Sequence, residues 1–122
     1  MTRSHAPAVV HFAALSDPGK SRAHNEDSIL CAPQLDLWAV ADGMGGHQRG
    51  EVASALAVQV LREQIGQGAS LSAAISTAHT AIMAAAGLDA ASRGMGTTLV
   101  AAQLQGCRFT LAWVGDSRAY RI

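Results

Sequence analysis

The chain has 122 residues, enough for one domain with a modest core, and 49 % are hydrophobic against 15 % charged, which excludes a disordered chain. Nine basic and nine acidic side chains cancel, so the basic footprint of a nucleic-acid binder is missing and no nucleic-acid partner is expected. Aromatics make up only 4 %, which leaves the core to alanine and aliphatic side chains.

In chain order, a leader over residues 1–7 precedes "AVVHFAAL", Ala8 to Leu15, read as a strand stopped by Ser16-Asp17-Pro18-Gly19. This run is too short for a membrane span, carries His11, and lacks the cleavage pattern of a signal peptide. No membrane partner is expected. "DSILCA" and "LDLWAVA" predict two strands joined around Pro33, the second ending at Asp42. From about Gly50 the period changes: Ala53, Leu56, Ala57, Val60 and Leu61 predict an amphipathic helix, stopped by Gly66 and Gly68. Ser70 is the expected N-cap of a second helix striped by Leu71, Ala74, Ile75, Ala78 and Ile82, with Gly87 as its stop. "GTTLVAAQL", "RFTLAWVGD" and "RAYRI" then predict three strands, the first two a hairpin across Gln105-Gly106. This order predicts an α+β fold with a mostly antiparallel sheet. Because the chain stops at Ile122 inside the last of these strands, an incomplete domain is expected. Cys31 and Cys107 have no metal-type spacing and read as reduced thiols of a cytoplasmic protein.

Three polar clusters fall at the ends of predicted strands, where sites are commonly built: "DPGKSRAHNEDS" with Arg22, Asn25, Glu26 and Asp27, then Asp42-Gly43, then "GDSR" with Asp116 and Arg118. Carboxylates drawn from separate segments repel one another unless a cation lies among them, and oxygen ligands of this kind suit Mg²⁺ or Mn²⁺. "DGMGGH" puts three glycines beside Asp42. Gly43 can bring its carbonyl close to a metal, while Gly45 and Gly46 let the chain reverse into the helix. Arg22 offers a planar fork suited to phosphate. Taken singly, each has a plainer reading: Asp42-Gly43 as a turn, Glu26-Asp27 with Arg22 as a solvated cluster, Asp116 as a turn cap, His47 as a loop histidine. Two nucleotide-loop readings fail. "GKS" at Gly19 to Ser21 has Ala14 where a P-loop needs glycine, and "GMGG" leads to Gln48 where a dinucleotide loop needs one.

Four blocks, "SDPGKSRAHNEDS", "LWAVADGMGGHQRGEVAS", "GMGTTLVAA" and "WVGDSRAYRI", stand in the order found in the metal-dependent protein phosphatases, and the chain resembles their type 2C serine/threonine class in its bacterial form. The "LWAVADGMGGHQRGE" block is most similar to phosphatases that accompany type VI secretion clusters. The resemblance implies a β-sandwich flanked by helices, with residues 8–122 as the N-terminal portion of the domain. It implies hydrolysis of phosphoserine or phosphothreonine in proteins by a metal-activated water, with two or more Mn²⁺ or Mg²⁺ ions in the complete domain. Glu26, Asp42 and the Gly43 carbonyl carry over as metal ligands, Asp27 stands in the metal's water shell, Asp116 belongs to a further metal site, and Arg22 grips the phosphate. Animal members use a histidine near the DG motif as general acid; His47 lies at a different spacing, five residues after Asp42, and is kept only as a candidate. A phosphorylated protein substrate and a cognate Ser/Thr kinase are the implied partners. Complete family domains are longer and bring further metal-binding aspartates, which leaves an alternative: an inactive half-domain that binds a phosphoprotein or partner.

Overall fold

The computed structural model describes residues 26–45, 49–87 and 95–114. Arg22, His47, Asp116 and the expected strands over 8–15 and 118–122 lie outside the described residues.

β1 (Asp27–Ala32) and β2 (Leu37–Met44) pair antiparallel, with Leu30, Ala32, Leu37, Ala39 and Ala41 buried on one face. The expected start of β2 at Leu35 is corrected to Leu37. Pro33–Leu35 instead form a 3-10 turn whose first position proline fills without loss, since no N–H is needed there. Asp36, left-handed at φ 52°, closes the turn by donating its N–H to the Pro33 carbonyl at 3.0 Å. The expected end at Asp42 is also corrected. β2 continues to Met44 because Gly43 and Met44 pair with Thr97 and Gly96 of the short strand β3 (Gly96–Thr97).

β4 (Leu99–Gln105) and β5 (Arg108–Val114) form the expected hairpin, but its turn is corrected from Gln105-Gly106 to Gly106-Cys107, because Gln105 still pairs with Arg108 and Gly106 takes φ 64° at the first turn position. The single strand predicted over "GTTLVAAQL" is broken between β3 and β4 at Thr98. The sheet order is β1-β2-β4-β5, with β3 beside the end of β2, and every pairing is antiparallel.

α1 (Arg49–Gly66) and α2 (Leu71–Ala86) follow the periodicity that predicted them. α1 buries Ala53, Ala57, Leu61 and Ile65, and also Gly50 and Ser54. Ser70 caps α2 as expected, its hydroxyl accepting the Ala73 N–H at 3.1 Å, a bond of about 1 kcal/mol. Both helices contribute to one core with the strands, Leu61, Ile65, Leu71 and Ala74 meeting Leu37, Ala39 and Leu99. The small side chains on the strands let helix and sheet approach closely.

The opposite face of the strands carries Trp38, Val40, Leu111 and Trp113, the last 63 % exposed. Apolar side chains on both faces are the pattern of a sandwich layer. Among the described residues no second sheet packs on it, and no helix is long and apolar enough to cross a membrane.

Leu61 is fully buried at the centre of the helix–sheet core. Leu61→Ala is expected to lower stability by about 3 kcal/mol with the denaturant slope unchanged, read from urea unfolding. A loss below about 1 kcal/mol would contradict this packing.

Candidate functional site

The ends of β1 and β2 bring the acidic residues together. Asp27 pairs in register with Asp42, so the two carboxylates leave the same face of the sheet from directly opposed positions. Like charges so placed repel, and a cation relieves them. One residue earlier, Glu26 accepts the Gly43 N–H on its carbonyl at 3.0 Å, which extends the ladder beyond β1. The Glu26 carboxylate is turned the other way, toward the first turn of α1. A Cβ built on Gly50 would lie 2.6 Å from its Cδ and Oε2. The N-terminal turn of a helix is a favourable place for a negative charge.

Gly43 and Gly50 let this corner close. A Cβ on Gly43 would collide with the Gly50 carbonyl oxygen, and one on Gly50 would lie 2.8 Å from the Gly43 carbonyl carbon. Two elements here meet backbone to backbone. The sequence reading gave Gly43 its freedom so that a ligand could approach; the structure shows that helix α1 fills the place of the missing side chain. Gly45, just past the end of β2, has φ 142°, a conformation that side-chain-bearing residues rarely adopt.

Two buried hydroxyls hold the same corner. Ser54 donates to the Glu26 carbonyl at 2.7 Å and lies 2.9 Å from the Ser28 hydroxyl. Thr98 accepts the Asp42 N–H on Oγ1 at 3.2 Å and returns its own N–H to the Asp42 carbonyl at 2.9 Å. The hydroxyl takes the place of a ladder carbonyl, and the Thr98 carbonyl accepts from the Thr97 hydroxyl at 2.7 Å instead. That substitution is the physical cause of the break between β3 and β4.

Of the residues expected at the site, Glu26, Asp27, Asp42 and Gly43 are brought to one corner. Gly50, Ser54 and Thr98 were missed. Ser54 had a signal: it falls on the stripe of Ala57, Leu61 and Ile65, where a polar side chain must find a partner. Thr98 had none, because its partner is 56 residues away. Among the described residues no three His, Cys, Asp or Glu side chains gather into a ligand set. The donors present, the Asp27, Asp42 and Glu26 carboxylates and the Gly43 carbonyl, are hard oxygens of the kind that suits a divalent cation held in part by these residues.

Residues 19–121 match the family model described as Protein phosphatase 2C. The serine/threonine protein phosphatase PstP of Mycobacterium tuberculosis is 43 % identical over 118 residues, which cover 92 % of this chain and 23 % of PstP. The crystal structure of the PstP catalytic domain in complex with two manganese ions superposes with a TM-score of 0.78 at 42 % identity, over 87 % of this chain and 48 % of that one. PppA, a key regulatory component of T6SS in Pseudomonas aeruginosa, gives a TM-score of 0.69 at 40 % identity, over 85 % of this chain and 48 % of its own. The chain thus spans about a quarter of PstP and about half of the solved domains it matches.

The two kinds of glycine in the chain should respond oppositely to alanine. Gly43→Ala drives a Cβ into the α1 backbone and should cost about 3 kcal/mol or more, whereas Gly66, with open space around it at the end of α1, should gain about 0.5–1 kcal/mol. Thermal unfolding of both variants checks this, and equal midpoints would refute the close approach.

Proposed function

Because the chain belongs to the protein phosphatase 2C family, we propose that the full-length protein hydrolyses phosphoserine and phosphothreonine in proteins with the help of Mn²⁺ or Mg²⁺. The observation that carries this reading is the pairing of Asp27 with Asp42 at the end of the sheet where Glu26 and the Gly43 backbone also meet. In this reading Glu26, Asp42, the Gly43 carbonyl and Asp116 hold the metal, and Asp27 adds negative charge beside it. Bound there, divalent ions supply charge neutralisation at the phosphoryl group and a water acidic enough to act as nucleophile near neutral pH.

The remaining work falls to the chain's own side chains. Arg22 is the side chain assigned to the phosphate, because a planar guanidinium suits two phosphate oxygens at once and can orient them for in-line displacement. Asp42, its N–H and carbonyl both held by Thr98, keeps its carboxylate at a set point of the site. His47, next to the DG turn in sequence, is the candidate to protonate the leaving oxygen. Neither cysteine is placed as a nucleophile: Cys31 lies within β1 and Cys107 in the hairpin turn. A phosphoprotein substrate, a partnering Ser/Thr kinase and a cytoplasmic setting belong to the same proposal.

A second reading, an inactive half-domain that binds a phosphoprotein or partner without turnover, is favoured by the chain spanning only about half of the solved phosphatase domains it matches. One assay separates the two. With excess Mn²⁺ and an aryl phosphate, the full-length protein should turn over and its Asp42→Ala variant should not, while the 122-residue chain alone should stay near background. Turnover by Asp42→Ala close to normal would sink the metal assignment, and full turnover by the 122-residue chain would show that its own carboxylates suffice.

Arg22→Ala should raise KM more than it lowers kcat, since a phosphate grip acts in ground and transition states alike. An unchanged KM with a collapsed kcat would refute that role.

A further inference from the structure

Two polar side chains are buried among the described residues, Ser54 at 0 % exposure and Thr98 at 6 %. A hydroxyl taken out of water costs about 1–3 kcal/mol unless it is bonded, and a methyl would fill such a site as well. Both hydroxyls are bonded to the main chain of a candidate ligand. Ser54, on α1, holds the Glu26 carbonyl at 2.7 Å. Thr98, between β3 and β4, accepts the Asp42 N–H at 3.2 Å.

We infer that Ser54 and Thr98 are positioning residues of the metal centre: a helix on one side and a strand junction on the other fix the backbone from which the Glu26 and Asp42 carboxylates project. The inference rests on the metal reading of those two residues. The Glu26 carbonyl receives Gly43 from β2 and Ser54 from α1, so β1, β2 and α1 are tied at one oxygen. Gly50 lies one turn before Ser54 on the same helix face and leaves the space that the Glu26 carboxylate occupies. At Asp42 both main-chain groups are engaged by one residue, since the N–H goes to Oγ1 of Thr98 and the carbonyl accepts the Thr98 N–H. Aspartate reaches its ligand oxygens through two torsions, so a shift of its backbone moves the carboxylate with it. Metal–oxygen distances tolerate only about 0.2 Å of error.

The test is Mn²⁺ affinity by titration calorimetry on the full-length protein without substrate, with thermal unfolding of the metal-free variants as control. Ser54→Ala and Thr98→Val should each weaken binding about tenfold, the scale of lost outer supports at metal sites, while Thr98→Ser should keep it. In a Glu26→Gln background, Ser54→Ala should change affinity less than about twofold, because the ligand it positions is already lost. Undiminished Mn²⁺ affinity in Ser54→Ala and Thr98→Val, or a full tenfold loss on top of Glu26→Gln, would overturn the positioning role. Wild-type affinity in both Glu26→Gln and Asp42→Asn would instead sink the metal reading, and the inference with it. Should Ser54→Ala fail to fold, the Thr98→Val and Thr98→Ser pair decides alone: loss in the first and retention in the second supports the role, and equal affinity in the two overturns it.

Discussion

The end of β2 meets the first turn of α1 backbone to backbone, and that contact exists because neither Gly43 nor Gly50 has a side chain. A methyl on Gly43 would overlap the Gly50 carbonyl and one on Gly50 would crowd the Glu26 carboxylate and the Gly43 backbone, so either would push helix and strand apart. Everything at the acidic corner depends on this approach. It brings the helix N-terminus over the Glu26 carboxylate, places Ser54 within reach of the Glu26 carbonyl, and brings the start of α1 against the Gly43 backbone.

The same economy of side-chain volume runs through the core. Ala32, Ala39, Ala41 and Ala101 line the sheet where the helices lie, and Ala53, Ala57, Ala74 and Ala78 face the interior from the helices. Small residues on both surfaces shorten the distance between layers, and Leu37 and Leu61 fill what remains. α1 therefore has two tasks along one face. Its C-terminal half seats Leu61 and Ile65 in the core, and its N-terminal half carries Gly50 and Ser54 to the acidic corner. Packing at one end of the helix sets the geometry at the other.

Charge works against this arrangement. Asp27 and Asp42 are directly opposed across the ladder, while the Glu26 carboxylate is turned away from them toward the first turn of α1. The main-chain bonds from Gly43, Ser54 and Thr98 hold the strand ends in place at this corner. The PstP catalytic domain, whose fold this chain shares over about half of that domain's length, was solved with two manganese ions.

Much of this was legible along the chain. Period-two and helical patterns located both helices and four of the five strands, Ser70 announced its cap, and Asp42-Gly43 with Glu26-Asp27 stood out as the residues that meet at the end of the sheet, because propensity, periodicity and motif are relations between near neighbours. Three features resisted that reading. The break at Thr98 looks like ordinary strand sequence until its hydroxyl replaces a ladder carbonyl for Asp42. The extension of β2 through Gly43 and Met44 needs β3 beside it. Gly50 reads as a plain helix start, and its role appears only when Glu26 and Gly43 are packed against it. The sequence by itself determined the two helices, the four longer strands among the described residues, the acidic residues and the family. Which backbone groups of residues 26, 42, 43, 50, 54 and 98 meet was decided by tertiary structure alone, because those contacts join segments far apart in the chain through a register and a close approach that no local pattern encodes.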